Sequence, residues 1–384
     1  MTAVKTIPFG NPCITDEDRS KVMEVLNGHI LTHGPQCKGF EEEFSLFTGG
    51  GYSVTTSSCM AALHMSYLHF SIGMGDEVIV PAQTHTATAH AVEWVGAVPV
   101  FADCEKETGN ISVGEIKKLV TSKTKAISLV HFAGIPCDMD GIMDIAQKNN
   151  LKVIEDCAIA VGARYKGKHV GLIGDAGCFS FYPVKHFTSG EGGMFISKYK
   201  EVADSINKLR AFGVDRTHTE RSIPGMYDVP SLGLNYRMSE LQAALGRSQL
   251  SRIDETLNKR KNNFEYLKDK LLSFKDTYVL DSINSDSVNS HYCLCLVLKN
   301  KLKEHRNEVI LKLKEEGIGT SVYYPQPVPR MTYYRNKYGY NPDNYKNAAM
   351  ISDYSIAFPV GPHIEKDDLD YIAKKLFEAI EVFR

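Results

Sequence analysis

Along the first two-thirds of the chain, short continuous apolar runs alternate with stretches whose apolar residues recur at three- and four-residue spacing. The runs "DEVIVPA", "AVPVFAD", "KAISLVHF", "KVIEDCA", "AGCFSFY" and "GGMFISK" are rich in β-branched and aromatic residues, and several are bounded by Gly, Pro or Asp. They predict strands. Between them, "CMAALHMSYLHFSI", "ATAHAVEWVG" and "GIMDIAQKNN" predict helices. Strands that are apolar at every position, rather than at alternate ones, belong to a sheet covered on both faces. The pattern therefore predicts an α/β fold with a mostly parallel sheet between helices. A long helix is expected from about Met238 to Leu272, with a break or kink, after "GLNYRM". Beyond it the texture changes to "HYCLCLVLKN", "EVILKLKEEGIG", "TSVYYP" and a closing helix, "DDLDYIAKKLFEAIEVF", which reads as a smaller α+β domain.

Composition narrows this only by exclusion. A chain of 384 residues is long for one core, which suits two or three domains. With 43% hydrophobic and 23% charged residues it has ordinary globular composition. The net charge of −2 and the lack of a basic stripe give no reason to expect nucleic acid. No apolar run approaches the roughly 20 residues of a membrane helix, and "MTAVKTIPFGNPCITDEDRS" lacks the apolar core of a secretory signal. Nine cysteines scattered through apolar runs read as free thiols of a cytoplasmic protein rather than a disulfide frame.

In α/β sheets ligands sit at the carboxyl ends of the strands, and three such places carry suggestive chemistry. In "TTSSCMAALHM", Thr56, Ser57 and Ser58 run into a helix beginning near Cys59 or Met60. That is either a plain serine cap or an anion site made by free N–H groups and the helix dipole. In "KVIEDCAIAVGA", Glu155 and Asp156 end an apolar strand, so one carboxylate faces the ligand edge, unless it only caps a turn. In "FYPVKHFTSGEGGMF", Lys185 stands at a strand exit before a glycine-rich stretch. It is either a solvated turn lysine or an amine held for imine chemistry. An anion cradle, an acid and a lysine, in that order along one domain, are what pyridoxal phosphate (PLP) requires.

Other patterns carry less. "GLIGDAG" has the wrong glycine spacing for a dinucleotide turn. His85 with His90, and His64 with His69, are five apart and ill-placed for zinc. Cys293 and Cys295 alternate in a strand and read as core.

The segments "LTHGPQCKGFEEEF", "GDEVIVPAQTHTATAHAVEWVGAVPVFADC", "EDCAIAVGARYKGKHVGLIGDAGCFSFYPVKHFTSGEGGMF", "GLNYRMSELQAALGRSQL" and "GIGTSVYYPQP" together resemble the DegT group of fold-type-I PLP-dependent sugar aminotransferases, over almost the whole chain. The resemblance implies a large PLP-binding domain over residues 15–250 and a small one over 251–384, with 1–14 packed on the latter. It implies Lys185 as the Schiff-base lysine and Asp156 as the partner of the ring nitrogen. Ser180, the backbone amides of Cys59 and Met60, and Ser58 beside them would hold phosphate. Ala158 would pack on one ring face and His85 would stack on the other. Asn235 would reach the phosphate of a neighbouring subunit, giving a homodimer with shared sites. Cys59, Met60, His85, Ile159 and Val161 depart from the group's usual residues. The implied reaction moves an amino group from L-glutamate to a keto sugar, probed against a dehydratase or lyase on the same fold. A phosphorylated triose or a cyclitol as acceptor stays open. The loops Arg216–Tyr227 and Tyr323–Arg330 are expected to select the acceptor.

Overall fold

A computed structural model describes residues 5–215, 222–223 and 225–383. Ten strands matter for the site and its support: β1 Tyr52–Thr56, β2 Glu77–Pro81, β3 Val98–Ala102, β4 Thr124–Val130, β5 Lys152–Asp156, β6 Ala176–Ser180, β7 Gly193–Ser197, β8 Thr277–Val279, β9 Leu294–Leu298 and β10 Ser355–Phe358. The first seven form one sheet in the order β1–β7–β6–β5–β4–β2–β3. The pairs β2–β3, β2–β4, β4–β5 and β5–β6 are parallel. Strand β7 runs antiparallel to both β6 and β1. All six runs predicted as strands form in this sheet, β3 at its edge. The antiparallel edge was not anticipated, and its cause is simple. No helix intervenes between Ser180 and Gly193, so the chain cannot cross over and must return alongside itself. The continuous apolar reading also holds: every residue of β6 and β7 is buried, so helices cover both faces.

The first four helices are α1 Asp16–Leu26, α2 Pro35–Thr48, α3 Cys59–His69 and α4 Thr86–Trp94, of which α3 and α4 start just beyond the ends of β1 and β2. The long helix expected from Met238 is two helices, Glu240–Leu250 and Ile253–Leu271, broken at Ser251 and Arg252. The first is started by a capping box in which Ser239 and Gln242 satisfy each other's backbone N–H. Beyond the break, β8–β9–β10 form a second, antiparallel sheet. The closing helix Lys366–Glu381 packs there through Leu369, Ile372, Ala373, Leu376 and Ile380, the three-and-four spacing of one helix face. Ile7 joins that same apolar cluster and bridges to Ile318, so the N-terminal segment lies against the C-terminal part. The run "TSVYYP" makes only an isolated bridge, Ser321 to Ala357. Of the two loops expected to select substrate, Tyr323–Arg330 is described. In the other, residues 216–221 and 224 lie outside the described residues.

Candidate functional site

Three strands set the register of the first corner. Thr56 in β1 and Ser180 in β6 both pair with Gly193 of β7, so the ends of three strands meet beside the start of α3. Ser58 caps α3, its hydroxyl accepting from the Ala61 N–H at 3.1 Å. The N–H groups of Cys59 and Met60, in the first turn, have no intrahelical acceptor and point out of the helix start. Gly193 is what lets the sheet lie against this turn. A Cβ there would meet the Ser58 carbonyl carbon at 2.4 Å and the Cys59 nitrogen at 2.6 Å. Ser180 is buried at the same corner, and its Oγ accepts from the Tyr182 N–H at 3.4 Å.

Strand alternation separates the two acids that end β5. Glu155 points to the far face. There it accepts from His131 Nε2 at 3.0 Å and from the N–H groups of Gly171, Ile173 and Gly174 at 2.7, 2.9 and 2.6 Å. Burial would push its carboxyl up, but His131 and the backbone donors more than offset that and hold it below the usual carboxylate range. His131, Glu155 and Cys157 place their ligand atoms within 4.8 Å of one another. The four donors on Glu155, and a Cys137 N–H on His131 Nδ1 at 3.1 Å, make this trio a structural network rather than a metal site. Asp156 points to the ligand face. Its Oδ1 accepts from the Ala158 N–H at 3.0 Å and faces Cys59 Sγ at 3.7 Å, and its Oδ2 accepts from Thr88 Oγ1 at 2.8 Å.

Lys185 follows β6 through a turn closed by its N–H on the Tyr182 carbonyl at 2.9 Å. The ammonium sits 5.3 Å from the centre of the Tyr292 ring. Burial lowers its pKa from the ordinary 10.5, against the upward pull of Cys59 and Asp156. Asp156 therefore lies within electrostatic reach of this amine. Lys185 is thus no solvated turn lysine: a depressed pKa in a partly dry setting is what an imine-forming amine needs.

His85 caps α4, its Nδ1 accepting from the Ala87 N–H at 3.1 Å, and its ring stands 5.8 Å from that of Tyr324 at 64°. It remains exposed. Ala158 is half-buried against the main core. Asn235 lies on the surface with its Oδ1 accepting from Arg237 Nε at 2.9 Å, while the neighbouring Tyr236 carbonyl accepts from the Ser57 N–H at 2.8 Å. Ser58, Cys59, Met60, Asp156, Ala158, Ser180 and Lys185 are thus gathered around the ends of β1, β5, β6 and β7. Asn235 is tethered beside them by Tyr236. The residue that sequence reasoning missed is Thr88. Its only signal was its place in the first turn of α4, three residues after the His85 cap.

The residues fit PLP on their own evidence: a depressed amine, a carboxylate fixed by donors, and a helix start against which no Cβ fits. Fold and site together define a PLP-dependent enzyme of fold type I. The chain belongs to the DegT/DnrJ/EryC1/StrS aminotransferase family, whose model matches residues 12–377. It is 36% identical over 380 residues to the spore coat polysaccharide biosynthesis protein SpsC of Bacillus subtilis, covering 98% of this chain and 97% of that one. It is 34% identical over 377 residues to GDP-perosamine synthase of Escherichia coli, covering 98% and 99%. Its fold matches the PLP form of Spr1654 from Streptococcus pneumoniae with a TM-score of 0.92 at 29% identity, over 99% of this chain and all of that one. The protein is an aminotransferase. Among the described residues, no helix is long and apolar enough to cross a membrane.

Proposed function

We propose that this aminotransferase moves the amino group of L-glutamate onto a keto sugar carried on a nucleotide, for polysaccharide or other amino-sugar synthesis. The names of SpsC and GDP-perosamine synthase support the substrate class. The observation that carries the chemistry is Lys185, a desolvated amine within electrostatic reach of Asp156. PLP, when bound, supplies an aldehyde that condenses with amines and a ring that takes up charge from the adjoining carbon. Lys185 would hold PLP through its amine and, when free, would be the base that carries the proton of glutamate's α-carbon. Asp156 would hold a proton on the ring nitrogen. Ser180 and the Cys59 and Met60 N–H groups take the phosphate, where the positive end of α3 favours a dianion. Ala158 and His85 bound the two ring faces. The dehydratase or lyase reading is not favoured by a family of aminotransferases.

We further propose a homodimer in which Asn235 reaches the partner's cofactor. Its exposed position supports this, as do the exposed apolar residues Ile30 and Leu31, whose segment is tied to the Asn235 region through His33 on Arg237 and the Glu240 N–H on the Leu31 carbonyl. The division at residue 250 into two domains, with 1–14 on the second, is supported by the helix break and by the Ile7 cluster.

The test is direct. Adding L-glutamate to the yellow holoenzyme should bleach the visible band, and a panel of nucleotide-linked keto sugars should restore it with formation of an amino sugar. Lys185→Ala should abolish turnover. Unchanged steady-state activity in that variant would overturn the assignment.

A further inference from the structure

Asp156 is held by more than its strand. Both oxygens of its carboxylate are approached by side chains that start two different helices, Thr88 of α4 and Cys59 of α3, and neither side chain belongs to the lysine loop. Thr88, in the first turn of α4, is fully buried and gives its hydroxyl proton to Oδ2 at 2.8 Å. Because that proton is spent, Thr88 Oγ1 can only accept from its other neighbour, the buried Thr84 Oγ1 at 2.8 Å. The result is a directed chain, Thr84 to Thr88 to Asp156, in a dry setting where successive hydrogen bonds polarise one another. From the other side, Cys59 offers a thiol that faces Oδ1 at 3.7 Å and the Cys178 carbonyl at 3.3 Å. Burial, first, and the nearby Asp156 raise the Cys59 pKa well above normal. It therefore stays a thiol that donates, and is not an anion that would repel the carboxylate.

A carboxylate oxygen has about two acceptor positions. Oδ1 has one filled by the Ala158 N–H, and the other is covered by the Cys59 sulfur, whose single proton lies nearer the Cys178 carbonyl. Oδ2 has one filled, by Thr88. We propose that Thr88 and Cys59 are positioning residues that clamp Asp156 so that its one remaining acceptor position, on Oδ2, is aimed at the ring nitrogen of the cofactor. The inference rests on the reading of Asp156 as the ring-nitrogen partner and adds how that partner is kept in place. Without the hydroxyl, the Asp156 side chain can rotate about its last torsion, a broad one for aspartate, and its grip on the ring proton slackens. The phosphate cradle is untouched by that loss.

The experiment uses purified apoprotein and PLP. In Thr88→Val, isosteric but without a donor, kcat with L-glutamate, read as the limiting single-turnover rate at which glutamate bleaches the PLP band, should fall by about tenfold to a hundredfold, the value of one hydrogen bond to a charged group. KM for glutamate should move less than twofold, and the PLP dissociation constant should rise several-fold. Thr88→Ser, which restores the donor alone, should recover most of the lost kcat. Cys59→Ala should show a smaller fall of the same kind, and its missing sulfur leaves space rather than a clash, so it serves if Thr88→Val does not fold. A wild-type protein that takes up no PLP would sink the site reading itself. If wild type loads PLP but Thr88→Val and Cys59→Ala both keep kcat and PLP affinity within twofold, only the clamp is overturned. It is equally overturned if Thr88→Ser is as impaired as Thr88→Val, since then shape and not the hydroxyl is what Asp156 needs.

Discussion

A strand lies tightly against a helix start at the phosphate corner, and this makes Gly193→Ala its sharpest test. A Cβ on Gly193 would stand 2.4 Å from the Ser58 carbonyl carbon, 2.6 Å from the Cys59 nitrogen and 2.6 Å from the Ser58 oxygen, all backbone atoms. Ordinary contact begins at 3.4 Å, so strand and turn must separate by about an ångström. Neither partner yields easily. Gly193 is paired on both sides, to Thr56 and Ser180, and the α3 start is tied to Tyr236 through Ser57. Overpacking of this kind costs about 1–3 kcal/mol. The displaced atoms are the N–H groups expected to hold phosphate, so the same shift should weaken PLP binding about tenfold or more, since 1.4 kcal/mol is a factor of about ten. The assay is PLP titration of the apoprotein by fluorescence, with thermal unfolding alongside. Gly190→Ala is the control. It has φ of +84° but nothing within 4 Å of its Cβ position, so it should cost only about 1–2 kcal/mol of left-handed strain and leave PLP affinity nearly unchanged. A Gly193→Ala protein that binds PLP as wild type does, with an unchanged melting temperature, refutes the cradle.

Two other expectations follow from charge. Glu155→Gln replaces an acceptor of four bonds by a side chain with one acceptor oxygen and an NH2 that must face donors, so it should destabilise the fold by about 3–5 kcal/mol, read as a lower denaturation midpoint. The wild-type carboxyl lies below its unfolded value of 4.5. Its contribution is therefore complete above that pH and lost as pH falls through the folded value, so the acid limb of stability should be shallower in the variant. Lys185 shifts the other way for a cation: burial favours the neutral amine. The rate at which apoprotein captures PLP should rise with pH and level off below 10.5, followed by stopped-flow growth of the visible band. A rate still climbing past that pH would show an ordinary solvated lysine.

What could be read from the chain and what could not divide along a physical line. Apolar continuity reports burial on both faces, and it located six strands of the sheet and the helices between them. It could not report β1. "YSVTT" has a polar, half-exposed start, and its identity as a strand comes from pairing with β7 and not from its own residues. Nor could local pattern give the direction of β7, which depends on the length of a connection that has to close around Lys185. The break at Ser251 and Arg252 was expected because so long a helical pattern rarely runs straight. Its place is set by tertiary bonds: Arg252 pairs with the buried Asp18 and donates to the Cys13 carbonyl at 3.1 Å.

The site follows the same division at finer scale. Lys185 and Asp156 stood out because each ends or follows a strand, and strand ends are where this architecture presents ligands; Ser180 came from the family resemblance alone. That "ED" ends β5 says one acid faces the site; alternation alone cannot say which, because register decides it. Tertiary donors settle the matter. Four of them fix Glu155 on the far face, so Asp156 is left for the ligand side. Thr88 was hidden for the opposite reason. Nothing in "THTATAH" distinguishes the threonine that bonds Asp156 from Thr86 beside it. The difference arises only because α4 turns Thr88, and not Thr86, inward onto β5. A residue that acts by aiming another is visible only once the fold has brought the two together. For that reason the Asp156 clamp, more than the lysine, is where this structure adds to the sequence.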